Sequence, residues 1–381
     1  MRLLLDVSAV PTRPAGAGVY TVQLAGGLGE HDELDLHLLT RRGDAARWSE
    51  LAPKAAVHPE VPERRPARLL WEQTRGQELA SRLAVDVWHG PHYTMPARLT
   101  VPACVTVHDL TFFDHPEWHE RSKVSFFRRA IRVAAKEADA IVCVSDATAR
   151  RLRELLPTAT RAAVHVVPHG VDHDAFTPEP SAADDAALAA LGLPAAARFV
   201  TFVGTLEPRK DVATLVEAFD RIASSTAHAE VVLVIAGGKG WGNDRFDKAV
   251  AASPHAERIV RTGYVPDEAV PALLRAAAAV VYPAIEEGFG LPAIEALACG
   301  APTITTAGSV MDELAGGAAF TAPAGDAAAL AGVLDAVLSG SAEVDSRRVR
   351  GLDVARRFTW DASAAAHEDV YESVSATGAR Q

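Results

Sequence analysis

Cysteine, lysine and aromatic residues are scarce in this chain of 381 residues. The three cysteines, Cys104, Cys143 and Cys299, lie far apart in apolar runs, with no CxxC spacing and no histidine pairing. An odd, dispersed set argues against a disulfide framework and a zinc site, and reads as small buried hydrophobes. Only 6 of the 38 basic residues are lysine, so arginine carries most of the positive charge. Aromatics make up 6% of the chain, so Ala, Val and Leu must supply the packing. No run approaches the ~20 apolar residues that span a bilayer. The start, Met1 to Asp6, is one arginine and three leucines cut off by an acid, and reads as a first strand rather than a secretion signal. The expected location is the cytosol, or the inner face of a membrane as a peripheral protein. A net charge of −11 disfavours a nucleic-acid partner.

What the chain does have is alternation. Strands are expected at 2–8, 36–41, 85–90, 103–109, 140–146 and 164–168, then at 198–205, 230–237, 258–265, 279–283, 301–306 and 319–322. Runs such as Val231 to Ile235 are apolar at consecutive positions, as strands covered on both faces require. Helical stretches intervene, so the class is α/β with parallel sheets. A break holding Pro178 and Pro180 is followed by an Ala-rich stretch, 181–193, expected as a helix. The pattern then restarts, which gives two Rossmann-like domains, 1–175 and 190–358. A C-terminal helix in 359–381 is expected to pack back across the first domain.

Two stretches carry chemistry. In the first, a strand ending at Pro283 runs through Glu286-Glu287-Gly288-Phe289-Gly290-Leu291-Pro292 into a helix. The glycines admit a ligand close to the backbone, and free N–H groups at the helix start favour an anion, typically phosphate. Glu287 precedes the helix and Glu295 lies within it, so one acid can stand at the mouth of a phosphate site while the other reaches sugar hydroxyls. The plainer reading makes them a solvated acid and a helix-surface acid. In the second, Gly204 and Thr205 lead to Arg209 and Lys210 before a helix from about Asp211. A planar fork beside a point charge suits a diphosphate. The alternative is an exposed pair at a helix start, where cations are disfavoured.

Together these stretches resemble the retaining, nucleotide-sugar-dependent glycosyltransferases of family 4, which have the GT-B architecture. The resemblance covers nearly the whole chain. It rests on VHDL at 107–110, PHGVD at 168–172, GTLEPRKD at 204–211, GYV at 263–265 and EGFGLPAIE at 287–295, in that order. It implies two Rossmann-like domains whose parallel sheets face each other across a cleft, the first domain on the acceptor side and the second binding the nucleotide sugar. It also implies that Arg209 and Lys210 neutralise the donor diphosphate and that Glu295 accepts from ribose hydroxyls. Glu287 would hold hydroxyls of the donor sugar. Gly288, Phe289, Gly290 and Leu291 would line that sugar and the phosphates, and Tyr264 the base. His108 would face the donor sugar, and Gly16 and Gly18 would form a loop near the phosphates. Thr205 stands where some members have a second arginine, so neutralisation would rest on Arg209 and Lys210.

Other signatures are weaker. Asp172-His173-Asp174 imitates a metal-binding DxD, but it sits in the turn after PHG; no metal and no cofactor is expected. Gly16-Ala-Gly18 lacks the third glycine of a dinucleotide motif, and Gly238-Lys239 lacks the rest of a P-loop. His89 and His92, at a strand's C-terminal end, are either acceptor-side contacts or structural histidines. The stretch 120–137 interleaves Arg and Lys with Phe126, Phe127 and Ile131. It reads either as an attachment to an anionic membrane carrying a lipid-linked acceptor or as a solvated helix with buried aromatics. No first-domain acid stands out as a base or nucleophile. The resulting expectation is a retaining, metal-independent hexosyltransferase of polysaccharide biosynthesis. GDP-mannose is the first donor, a UDP-sugar the second, and the acceptor is a glycan, glycolipid or small molecule. The alternatives are a nucleotide-sugar 2-epimerase of the same architecture and a non-catalytic nucleotide-sugar binder.

Overall fold

The computed structural model describes residues 1–157, 160–193 and 197–377. The chain divides into two compact units, Met1–Gly170 with Trp360–Gln381, and Val171–Thr359.

The first unit is built on seven strands: β1 (Arg2–Asp6), β2 (Asp35–Arg41), β3 (Ala56–Val61), β4 (Val87–Gly90), β5 (Ala103–Val107), β6 (Ala140–Cys143) and β7 (Ala163–Val166). They form one parallel sheet in the order β3-β2-β1-β4-β5-β6-β7. Alternate residues of β1 feed opposite cores, Leu4 one side and Leu3 and Leu5 the other, all fully buried. That is why the strand is apolar at consecutive positions. β3 has no counterpart among the expected strands. It is an edge strand that is exposed or half-buried up to its last residue and carries Pro59, which pattern reading demotes.

The second unit has β8 (Phe199–Val203), β9 (Val232–Ala236), β10 (Ile259–Gly263), β11 (Ala279–Tyr282), β12 (Thr303–Thr306) and β13 (Phe320–Ala322). Its sheet is also parallel, in the order β10-β9-β8-β11-β12-β13. Strand order reverses between β1 and β4 in one sheet and between β8 and β11 in the other. At such switch points, connections leave in opposite directions and open a crevice at the carboxyl ends of the strands.

The boundary differs from the expected 175 and 190. Residues 171–189 belong to the second unit because Arg275 clamps Asp184 through two bonds, 2.9 and 2.7 Å, and donates to the Thr177 carbonyl. The helix in this segment is Asp184–Ala190, shorter than 181–193. The C-terminal helix, Trp360–Thr377, contributes Ala364, Val370, Tyr371 and Val374 to the core that holds Leu3, Leu5 and Tyr20. The helix Arg121–Glu137 buries Val124, Phe127 and Ile131, so its apolar face is used inside the first unit. Among the described residues no single helix is long and apolar enough to cross a membrane.

Candidate active site

Both chemistry-bearing stretches of the second unit lie at its switch point. The loop after β8 carries Gly204, Thr205, Arg209 and Lys210; the loop after β11 carries Glu287 to Gly290. A Cβ on Gly204, whose φ is +152°, would sit 2.9 Å from Lys210 Nζ, so glycine lets the ammonium fold back against the strand end. Gly290, with φ +87°, precedes the helix Leu291–Ala298, and a Cβ there would stand 2.4 Å from Met311 Cγ. Glycine is required at Gly290 on both grounds.

The two loops are tied together. Ile285 N–H donates to the Arg209 carbonyl at 2.8 Å. The Arg209 guanidinium pairs with Glu287, donates through Nε to Glu207 at 2.7 Å, and reaches the Glu286 carbonyl at 3.3 Å. Lys210 Nζ stands 3.4 Å from the other Glu287 oxygen, and the lysine is only 9% exposed. Burial alone would raise the Glu287 carboxyl, but Arg209 and Lys210 outweigh it and hold the group below its ordinary range. With no anion bound, Glu287 acts as counter-ion to both cations.

Glu295 is different. It projects from the helix Leu291–Ala298, and among the described residues its carboxyl has no hydrogen-bond or ion-pair partner. Burial, reinforced by Asp267 and opposed by Lys210, pushes it up to about 7. Phe289 and Leu291 are buried beside it in sequence, and Gly288 is buried. Tyr264, half-exposed, follows Gly263 at the end of β10, with its hydroxyl 3.4 Å from Asp267.

In the first unit, Gly16 (φ +51°) opens the helix Ala17–Glu30, which lacks a side-chain cap. Gly18 is buried against Pro14. His108 follows β5 and is 8% exposed; its Nε2 donates to the Pro91 carbonyl at 2.8 Å. His92 follows β4, with its ring 5.9 Å from that of His108, and burial pushes it down to about 3. These two meet beyond the carboxyl ends of β4 and β5, beside the switch point. His89 does not join them. It is fully buried within β4, with Nε2 on Thr106 at 2.8 Å and Nδ1 on Tyr371 at 2.7 Å. It is a structural histidine, because both ring nitrogens are already used. Asp172 likewise spends Oδ1 on the N–H groups of Asp174 and Ala175, a local turn. Among the described residues no group of three or more His, Cys, Asp or Glu is placed to hold a metal ion.

Two family models match consecutive parts of the chain, Glycosyltransferase Family 4 over residues 14–175 and Glycosyl transferases group 1 over 184–350. The O-antigen chain mannosyltransferase B of Escherichia coli is 30% identical over 276 residues, 72% of this chain and 71% of that protein. The chain belongs to the group 1 glycosyltransferases. Its fold is GT-B. Sucrose-phosphate synthase from Thermosynechococcus elongatus superposes with a TM-score of 0.76 at 21% identity, covering 99% of this chain and 100% of that one. Anabaena HepE, solved with UDP-glucose, gives 0.75 at 18% identity, covering 98% and 100%. Neither the epimerase nor the non-catalytic alternative is favoured by these relatives.

Sequence reasoning about this glycosyltransferase missed several charged groups. Glu207 was passed over, although it lies two residues before the arginine it orients. Asp211 is left-handed (φ +45°) and buried, held by Thr214 at 2.7 Å and by Arg245 at 2.5 Å. In the first unit, Asp6, Arg68 and Glu72 are buried in one cluster, each acid feeling the charge of Arg68. Burial pushes Glu72 up to about 7, while it accepts from Thr94 at 2.7 Å and from Gln73. No local pattern marks such a cluster, because its members meet only through the fold.

Proposed function

We propose that this glycosyltransferase moves a hexose from a nucleotide-diphosphate sugar to a glycan, glycolipid or small-molecule acceptor, with retention of configuration and without a metal ion. GDP-mannose is the first donor, in keeping with the mannosyltransferase named above, and a UDP-sugar the second. The observation that carries the reading is the pairing of a cation-bound acid with a partnerless one eight residues on. Arg209 and Lys210 offer two positive charges to a diphosphate, which competes with Glu287 for them. Glu287, once released, is free to accept from donor-sugar hydroxyls, and Glu295 to accept from the ribose.

Departure of the nucleoside diphosphate builds negative charge on its outer phosphate. A buried ammonium and a guanidinium already in place stabilise that charge without reorganisation, and the free N–H groups of the helix Leu291–Ala298 add to them. Retention follows if the acceptor attacks from the face the diphosphate leaves, the departing phosphate taking the acceptor proton. His108 and His92, neutral at physiological pH through burial, serve the sugar and acceptor side as hydrogen-bonding groups. Location in the cytosol, with or without contact to the inner membrane face, belongs to the same reading.

Two measurements test it. Glu295→Ala is expected to weaken calorimetric binding of the nucleotide about tenfold, the scale of one or two lost hydrogen bonds. Binding to the parent should strengthen from pH 6 to 8 as a carboxyl that titrates near 7 ionises into a better acceptor, and the variant should lose that dependence. Unchanged affinity with an unchanged pH profile would contradict the ribose role. The second measurement is transfer in excess EDTA, which should proceed at the untreated rate; loss that magnesium or manganese restores would return Asp172 and Asp174 to consideration.

A further inference from the structure

A second concentration of positive charge lies in the first unit. An open cavity of about 610 Å³ is lined by Pro116, Glu117, His119, Arg121, Val124, Ser125, Arg128 and Arg132. Four of these, Arg121, Ser125, Arg128 and Arg132, recur at every turn along the helix Arg121–Glu137 and so share one face. It is not the face that carries Phe127 and Ile131 into the core.

Three features of this wall are electrostatically wrong for a helix that has nothing to bind. First, three arginines share this wall and no carboxylate among the described residues pairs with Arg121, Arg128 or Arg132. Like charges one turn apart each cost a few tenths of a kcal/mol. Second, Arg121 stands at the helix N-terminus, the positive end of the macrodipole; the first turn holds no acid, and the Glu120 carboxylate caps no backbone N–H but accepts from Lys123 Nζ at 3.2 Å. Third, the guanidinia are held in place from behind. Arg128 donates through Nε to the Phe112 carbonyl at 2.7 Å and through Nη2 to the Phe113 carbonyl at 3.2 Å, leaving Nη1 open. Arg132 lies over the Phe113 ring, 5.3 Å from its centroid. Carbonyls and rings orient a guanidinium without neutralising it. The one acid on the rim, Glu117, is engaged by His115 at 3.1 Å.

We infer that this cavity binds a phosphate-bearing ligand, a phosphomonoester or diphosphate group held by Arg121, Arg128 and Arg132. Planar forks with several donors match the oxygens of a tetrahedral dianion, and Ser125 adds a hydroxyl. A cavity of this size takes a phosphorylated headgroup rather than an extended polymer. The site is built wholly from the first unit and shares no residue with Arg209 and Lys210, so it is a second phosphate site. The ligand is either a soluble phosphorylated compound or the headgroup of a phospholipid.

The test uses the full chain carrying Lys210→Ala, which weakens the other phosphate site, with and without Arg121→Ala plus Arg132→Ala. Both arginines are exposed on the helix surface, so unchanged melting temperatures are expected. Inorganic pyrophosphate is titrated calorimetrically, and co-sedimentation is measured with phosphatidylcholine vesicles with and without phosphatidic acid. Pyrophosphate binding that falls tenfold or more in the double arginine variant supports the site and marks a soluble ligand. Binding only to phosphatidic-acid vesicles, lost in the same variant, supports it with a lipid headgroup as the source. Binding to neither probe, or binding that the arginine substitutions leave unchanged, overturns the inference. None of these readouts requires sugar transfer.

Discussion

Lys210→Ala is expected to lower the transfer rate at saturating donor by a hundredfold or more while leaving the fold intact. Three facts set the size of the effect. The ammonium is nearly buried, so its charge acts in a medium far less screening than water. It is fixed before any ligand arrives, because the absent Cβ of Gly204 leaves room for it. In the proposed mechanism it also faces the phosphate that gains negative charge as the bond to the sugar breaks, so its loss would fall on the transition state. Removal of one such stabiliser costs on the order of 3–4 kcal/mol, or a hundred- to a thousandfold. Lys210→Arg should not rescue, since a guanidinium is bulkier than the space beside Gly204. The measurement is single-turnover transfer at saturating donor, with circular dichroism melting as the control. A rate within a factor of three of the parent in a folded variant would remove Lys210 from leaving-group stabilisation. The reading of Glu287 predicts a companion effect: with one cation gone, its carboxyl should titrate higher.

Much of the second unit's site could be read from the sequence because its signals are local. A strand, a turn bearing glycine, a cation pair and a helix start all lie within Val203 to Val212; a strand end, two acids, two glycines and a helix start lie within Tyr282 to Leu291. Periodicity located the inner strands, since a strand covered on both faces has to be apolar throughout, as Leu233 to Ala236 are. β3 escaped the same test because it is half wet. What the sequence withheld is pairing at a distance. Nothing near Glu287 in the chain says that it faces Arg209, 78 positions earlier. The spacing placed an acid at the mouth of a phosphate site, with a solvated acid as the alternative; neither reading includes the pairing with two cations that the structure has. His89 stayed open between an acceptor contact and a structural role for a related reason: only its distant partners, Thr106 and Tyr371, decide between them. Residues 171–175 were given to the first domain and 176–189 to neither, because the Arg275–Asp184 clamp spans 91 positions.

On acidification to pH 4.5 the first unit is expected to lose protection against hydrogen exchange while the second keeps it. The cause is a hydrogen-bonded chain through the first core. His367 Nδ1 meets the Ser363 carbonyl at 2.7 Å and must donate, so Nε2 accepts from the Tyr20 hydroxyl at 2.8 Å. Tyr20, having given its only proton, accepts from Thr106 at 2.9 Å. Thr106 in turn accepts from His89 Nε2, and His89 Nδ1 accepts from Tyr371. Each donor is spent once, and both histidines are neutral. A proton added to either would set donor against donor. Burial holds His367 at about 4 and His92 at about 3, and depresses His89, His108 and His169 as well. Below the ordinary histidine value of 6.5 the unfolded chain takes up protons that the folded unit refuses, so stability falls as pH falls. Glu72 and Asp6 work the other way: raised by burial, they keep a proton in the folded state that the unfolded chain lacks. His58 and His165 are depressed by burial too, so seven histidines stand against two acids and the balance is a net loss. Each histidine held below 6.5 costs about 1.4 kcal/mol per pH unit until its folded value is reached, so the loss grows as the pH falls toward 4.5. In the second unit Glu295 and Asp211 are raised and so favour the folded state on acidification, whereas Glu287 and Asp184 lose their contribution only below the ordinary carboxylate range. Exchange measured by mass spectrometry at pH 7.5 and 4.5, corrected for intrinsic rates, distinguishes the two halves. Loss of protection in 171–359 before 1–170 would show that the buried histidines do not govern acid stability.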